Sequence, residues 1–428
     1  MEIISAIGVL TLFSITIFLG YIGNLIFERT KIPDIVWLLL FGLFVGPIFN
    51  LIDTTMFVKI SPLFGAVALL IILFDAGLNM NFYTMIKEFP RATTLAIIGM
   101  ISSMAVVGLV SIYMFNFDIY TGIMIGAILG GISSPIVISI VSGLELNGKV
   151  KTILELESIL TDPLCIIVTI ALIQLIVSSF AGNIVHDIIA SFSIGIVIGS
   201  IVGLIWLSIL HILRKRPFGY MITLAILLIL YAFVETIAGS GAIAALFFGL
   251  VLGNGRLITK VLKFKRTIGI KPFIRTFHRE MSFFIRSFFF VFLGLIVEIN
   301  MTYVMYGVVI AAILILLRII VAQISMIGSG ITKAELNIMR IMTPRGLAAA
   351  VLAQLPLQAG IVGGNLISNI VFVVILITVL YASFAIRFVY KTPKNLVAIG
   401  KKENIRYAKE KKSAVKEGKL QKAKKLKK

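Results

Sequence analysis

Charge is scarce in this chain, and acidic charge scarcest. Of 428 residues only 14% are charged, and Asp and Glu together number 19. A soluble domain carries about 25% charged residues. A large soluble helical protein is therefore excluded, because too little polar sequence remains to cover the many apolar runs near 20 residues long. There is one cysteine, Cys165, so no intramolecular disulfide can form. It lies inside an apolar run and reads as a small packing residue. The three histidines, His186, His211 and His278, stand far apart at the ends of apolar runs. They offer no metal-ligand spacing and read as interfacial residues. No P-loop or other nucleotide motif occurs, so ATP-driven pumping has no support. No catalytic constellation is visible, and neither an enzyme nor a cofactor is expected. The first apolar run has no basic segment before it and is too long for a signal peptide, so it is expected to be a membrane span.

Apolar sequence is what the chain has in abundance: 59% of residues are hydrophobic. Thirteen spans can be read, at about 4–27, 34–52, 62–79, 92–115, 120–142, 153–180, 187–213, 219–237, 241–254, 281–298, 302–327, 335–357 and 365–389. Alternate connections, beginning after the first span, collect the basic residues, including eight Lys/Arg between Arg256 and Arg279. The other connections hold one basic residue, Lys59. The positive-inside rule then places the N-terminus outside and the C-terminus in the cytoplasm of a cell that carries the protein in its plasma membrane. Of the net charge of +20, a surplus of 12 falls in residues 391–428, which hold 15 Lys/Arg and 3 Glu. That tail faces the cytoplasm. It suits either contact with anionic lipids or a disordered topology anchor, and not nucleic acid.

Internal similarity orders the spans. Leu40-Phe41-Gly42-Leu43-Phe44-Val45-Gly46 in span two resembles Phe247-Phe248-Gly249-Leu250-Val251-Leu252-Gly253 in span nine. Phe74-Asp75-Ala76-Gly77-Leu78 in span three resembles Phe292-Leu293-Gly294-Leu295 in span ten. Ser134-Pro135 in span five matches Thr343-Pro344 in span twelve. The offsets run from 207 to 217 residues, always seven spans. Seven is odd, so the halves must be inverted in the membrane. This predicts an all-α membrane protein of about 13 spans, with six-helix repeats at about 1–180 and 219–390 joined by span seven. Such repeats are the architecture of secondary transporters, which bind substrate near the midplane.

The polar residues within spans are few. Span six carries Glu157-Ser158-Ile159-Leu160-Thr161-Asp162-Pro163 in mid-run. A charge at such a depth costs roughly 2.5–3.5 kcal/mol, so these residues mark an ion path, a proton relay or a buried ion pair. Ser158 and Asp162 are i, i+4 and share a helix face. Together they can offer a hydroxyl and a carboxylate oxygen to a small hard cation such as Na+. Glu157 and Thr161 form a second pair, turned about 100° away. Glu157 is free to pair with a buried arginine, Arg345 or Arg318. Arg286, early in its span, is expected to snorkel to the cytoplasmic surface. Span five reads Gly130-Gly131-Ile132-Ser133-Ser134-Pro135, and span twelve Thr343-Pro344-Arg345-Gly346. Proline removes a backbone donor and clashes with the preceding turn, so both helices should be interrupted. Interrupted backbone at that depth must line a cavity or be buried in protein.

Taken together, Phe74-Asp75-Ala76-Gly77-Leu78, Ser133-Ser134-Pro135, Glu157-Ser158 through Thr161-Asp162, Phe288 through Leu295 and Pro344-Arg345-Gly346 resemble the monovalent cation/proton antiporter superfamily of sodium/proton exchangers. The resemblance covers about residues 1–390, taken as one exchanger domain ahead of the 391–428 tail. It implies a homodimer in the lipid bilayer, with an interface domain and a moving core that holds two crossed broken helices. It places the ion-binding aspartate at Asp162, the structural ion pair at Glu157 and Arg345, and an accessory acidic residue at Asp75. Ser158, Ser133, Ser134 and Thr161 complete the expected transport site. The chain departs from its relatives at two points. Ser133-Ser134 replaces Thr-Asp before the proline, and Thr161-Asp162 replaces Asn-Asp or Asp-Asp. One carboxylate then favours one proton for one cation, with Na+ expected and K+ as the alternative. A sodium-coupled symporter would need two sodium sites, and carboxylates are present for one. A channel or sensor subunit would show fast, uncoupled flux.

Overall fold

The structure is a computed structural model. It describes residues 2–389 apart from 31, 52–54, 80–81, 143, 145, 147, 178–183, 213–218, 262–268 and 270–271. The basic tail lies outside the described residues. Among those described, the elements are all helical. In chain order they are α1 (Glu2–Thr30), α2 (Asp34–Leu43, running on as a π-turn over Phe44–Ile48), α3 (Thr55–Asn79), α4 (Phe82–Phe115), α5 (Ile119–Ile128), α6 (Ser134–Ser142), α7 (Gly148–Val177), α8 (Ile184–Ile212) and α9 (Gly219–Thr236). They continue as α10 (Gly241–Gly253), α11 (Gly255–Val261), α12 (Pro272–Ile296), α13 (Met301–Ser325), α14 (Lys333–Ile341), α15 (Leu347–Leu352), α16 (Leu355–Gln358) and α17 (Gly364–Val389).

The helices follow the apolar runs in order, and the interruptions expected in spans five and twelve are present. Among the described residues six helices are long and apolar enough to cross a membrane by length and composition. The α10–α11 pair, bent by 75°, is a seventh if it is taken as one span. Shorter apolar helices include Asp34–Ile48, Ile119–Ile128 and Leu347–Gln358, the last two being half-helices of the interrupted runs.

Helix packing divides the chain into two groups. In one, α2, α3, α10 and α12 pack together, with α1, α8 and α9 around them. In the other, α4 packs on α5 and α7, and α13 packs on α14 and α17. Between the groups contact is sparse, carried in large part by α15 and α16 against α3 and α12. Glycine sets the close crossings of the first group. A Cβ on Gly42 would run into the Val291 carbonyl, and one on Gly294 into the Leu39 carbonyl. A Cβ on Gly77 would meet the Leu246 carbonyl, and one on Gly249 the Phe74 carbonyl. Span two thus crosses span ten as span nine crosses span three, through the motifs that resemble each other in sequence. In the second group α4 contacts α5 and α7, as α13 contacts α14 and α17.

Polar ties fix the helix ends. The Lys149 Nζ donates to the Ser329 carbonyl at 2.8 Å, joining the start of α7 to the turn after α13. At another edge the Asn365 amide donates to Glu298 at 2.7 Å, and the Glu298 N–H to Asn369 at 2.7 Å. Arg286 pairs with Asp34 at 3.4 Å, and both side chains are largely buried. His278 is buried rather than interfacial, with its ring edge-on to Phe74 at 4.9 Å between centroids.

The crossings predict a contrast. Gly249→Val should destabilise the protein by about 1–3 kcal/mol through overpacking, read as a lowered melting temperature in detergent. Gly219→Val, where an added Cβ meets nothing within 4 Å, should leave it nearly unchanged. Equal melting temperatures for the two variants would contradict the close approach.

Candidate functional site

The site is built where the two interrupted helices meet. Between α5 and α6, residues 129–133 leave the helix; between α14 and α15, residues 342–346 do. Pro135 stands at the second position of α6, in the first turn, where a missing N–H is least costly. Each break frees N–H and C=O groups that hydrocarbon cannot satisfy, so each must find a partner in the protein. The Ser133 N–H donates to the Pro344 carbonyl at 2.9 Å, tying one break to the other. The Ile132 N–H donates to Thr161 Oγ1 at 3.1 Å. The Arg345 N–H donates to Thr378 Oγ1 at 3.1 Å.

The freed carbonyls attract cations, as the negative end of a helix dipole should. Arg345 Nη1 donates to the Gly130 carbonyl at 3.1 Å and also to the Gly131 carbonyl, just beyond the C-terminal end of α5. Arg318 Nε donates to the Met339 carbonyl at 2.9 Å, in the last turn of α14. Two buried arginines thus cap two half-helices. A small cavity beside them is lined by Gly130, Ile132, Glu157, Thr161, Arg318 and Arg345, among others.

The ion pair differs from the expectation in its partner. Glu157 is paired with Arg318, not Arg345. The guanidinium donates through Nη1 to Oε1 and through Nη2 to Oε2, the latter at 2.8 Å. Arg345 is occupied by the two glycine carbonyls. Arg318 enters from α13 with its fork towards α7, so the bidentate geometry falls to it.

Asp162 and Ser134 are brought together: Ser134 Oγ donates to Asp162 Oδ2 at 2.9 Å, at the first residue of α6. Asp162 is partly buried, and no arginine or lysine pairs with it among the described residues. Ser158, the expected companion of Asp162, is fully buried and donates its hydroxyl to the Glu155 carbonyl at 2.9 Å. Its proton is turned to its own helix, which leaves only an oxygen lone pair for any other group. Ser133 Oγ is buried without a hydrogen-bond partner among the described residues, and a Cβ on Gly346 would strike it. Thr161 is used by the break rather than by Asp162. Asp75 belongs to the other helix group; its carboxylate accepts from the Asn79 amide at 3.0 Å and lies in the field of Arg275, Arg279 and Arg286. Among the described residues no three His, Cys, Asp or Glu side chains gather as a metal site. What the crossing offers is one carboxylate with no cationic partner among the described residues and the Ser134 hydroxyl beside it, a donor set for a proton or a small monovalent cation. Thr378 was invisible in sequence, because a hydroxyl in an apolar helix is common and its partner here is a backbone N–H. Its distance from Thr161, equal to the largest offset between the repeats, was the available signal.

The chain matches the profile of the transmembrane sodium/hydrogen exchanger family over residues 14–392. It is 28% identical over 366 residues to Na(+)/H(+) antiporter 1 of Methanocaldococcus jannaschii, covering 82% of this chain and 83% of that protein. It is 26% identical over 393 residues to the K(+)/H(+) antiporter NhaP of Alkalimonas amylolytica, covering 90% of this chain and 65% of that longer protein. The fold is similar to the solved structure of the sodium/proton antiporter MjNhaP1 from Methanocaldococcus jannaschii at pH 8. The TM-score is 0.76 at 25% identity, over 91% of this chain and 98% of that one.

The Glu157–Arg318 assignment is open to test. Glu157→Gln should cost about 3–5 kcal/mol of stability, because it leaves a buried guanidinium without its counter-charge. Adding Arg318→Met should recover part of that loss in thermal melting. Recovery on adding Arg345→Met instead would show that Arg345 is the counter-charge.

Proposed function

The chain belongs to the sodium/hydrogen exchanger family, and on that premise we propose that it exchanges Na+ for H+, one for one, by competition at Asp162. It is a membrane protein and a monovalent cation/proton antiporter. The observation that carries the finer reading is the state of the Asp162 carboxylate. It sits at the crossing of two broken helices, accepts the Ser134 hydroxyl, and among the described residues has no cationic side chain paired with it. Glu157, one turn away, is already neutralised by Arg318. Only one of the two carboxylates is therefore free to take up cargo.

The mechanism follows from exclusivity. A proton on Asp162 neutralises the carboxylate and gives it a hydroxyl donor. A sodium ion neutralises it equally, with Ser134, Ser133 and Ser158 oxygens and break carbonyls replacing part of the hydration shell. Both cannot be held together. The unloaded carboxylate would be a bare charge entering an apolar boundary, so only the loaded site crosses. Each passage then moves a neutral site, and opposed passages exchange one proton for one cation. Asp75, on the facing group, attracts the cation on its way.

The movement we infer is a sliding of the α4–α7 and α13–α17 bundle against the group built on α2, α3, α10 and α12. The sparse contact between them supports it, with α15 and α16 at the boundary. The paired glycine crossings support inverted halves. A homodimer formed through the α2, α3, α10 and α12 group, a plasma-membrane location with the C-terminus in the cytoplasm, and contact of the 391–428 tail with anionic lipid complete the reading. Potassium is the second reading for the cargo, favoured by the similarity to a protein named as a K+/H+ antiporter.

Asp162→Asn in proteoliposomes, with an imposed sodium gradient and an internal pH dye, should show no sodium-dependent proton movement above protein-free liposomes. Retained movement would overturn the assignment. With the unaltered protein, the same gradient on a solid-supported membrane should give proton movement without net current. A sustained current would overturn the one-for-one ratio.

A further inference from the structure

The two breaks are held by two threonines in equivalent ways. Thr161 Oγ1 accepts from the Ile132 N–H at 3.1 Å and donates to the Ser158 carbonyl at 3.2 Å. Thr378 Oγ1 accepts from the Arg345 N–H at 3.1 Å and donates to the Val374 carbonyl at 2.7 Å. Ile132 and Arg345 each stand two residues before the second half-helix, which begins at Ser134 in one case and Leu347 in the other. Both threonines are buried, at 1% and 0% exposure. Thr161 precedes the proposed cargo carboxylate, whereas Thr378 lies in α17, an apolar helix that carries no Asp or Glu.

We propose that Thr378 is a positioning residue of the exchange site, the second-half counterpart of Thr161, setting the Asp162 environment through Arg345. The proposal rests on the antiporter reading. Many membrane threonines simply donate back to their own helix. That habit accounts for the bond to Val374 but not for the accepted bond from Arg345, whose N–H has left its helix. Without the hydroxyl, that N–H would be buried and unpaired in a segment closed to water. Arg345 is the residue whose side chain crosses to the Gly130 and Gly131 carbonyls. Those glycines lead through Ile132 and Ser133 to Ser134, the donor to Asp162. A displaced Arg345 backbone would therefore be felt at Asp162 without Thr378 touching cargo.

The test compares Thr378→Val, which keeps the volume, with Thr378→Ser, which keeps the hydroxyl, in the full chain. Transport is read as sodium-dependent proton movement in proteoliposomes, and local order as hydrogen exchange of peptides covering 129–134 and 342–347. Thr378→Val should lower the rate at saturating sodium, or raise the apparent sodium KM, by at least about tenfold, with Thr378→Ser within about threefold of the unaltered chain. Exchange should quicken in both peptides for the valine variant alone. A valine variant with unaltered transport and exchange would overturn the proposal, as would equal losses in the serine variant. Should the valine variant fail to fold, the Arg345 amide of the unaltered chain decides: exchange as slow as in the α17 interior is expected, and fast exchange overturns the proposal. An unaltered chain that moves no protons would sink the antiporter reading, while the exchange measurements would still decide the placement of Thr378.

Discussion

Two helices interrupted at the depth of a membrane leave backbone groups that lipid cannot satisfy, and the arrangement of this protein follows from how those groups are paired. An unbroken helix closes its own hydrogen bonds; a broken one depends on its neighbours for them. Here the neighbours are specific. Thr161 and Thr378 accept from freed N–H groups, Arg345 and Arg318 donate to freed carbonyls, and the Ser133 N–H joins one break to the other through Pro344. The crossing is thus tied to α7, α13 and α17, which surround it. A bundle held this way is suited to move as a unit.

The same bonding leaves one group out of balance. The crossing contains two arginines and two carboxylates. Arg318 neutralises Glu157 and caps α14 with its Nε–H. Arg345 faces the carbonyl end of α5. Asp162 keeps a neutral hydroxyl donor and, among the described residues, no charged partner. Removing charge from water is costly, so an unpaired carboxylate in this position is poised to bind whichever small cation reaches it, a proton included. The structural pair and the proposed cargo site are adjacent on one helix yet separated by the turn between residues 157 and 162.

Some of this was legible in the chain. Pro135, Pro344 and their glycines announced the breaks, because proline and glycine act on the backbone whatever surrounds them. Asp162 and Glu157 stood out because charge in an apolar run is rare. The glycine motifs of spans two, three, nine and ten announced a relation that the packing turns into two matching crossings. What escaped was partnership. Glu157 was assigned to Arg345 over Arg318, and nothing in sequence spacing says which buried arginine has its fork free. Ser158 was placed beside Asp162 by helical spacing alone, and spacing does not say where a hydroxyl proton points. Thr378 and Met339 act through or upon backbone groups, which carry no sequence signature. His278 reads as interfacial because it sits near the end of an apolar run, yet helix packing buries its ring against Phe74.

The central claim is that proton and cation compete for one carboxylate. Initial exchange rates in proteoliposomes, measured over a range of sodium concentrations at several fixed pH values, test it most directly. Competition predicts that the apparent sodium KM rises with proton concentration on the acid side while the rate extrapolated to saturating sodium stays constant. A sodium KM that does not move with pH, while the saturating rate falls, would place the proton on a different group and contradict the account.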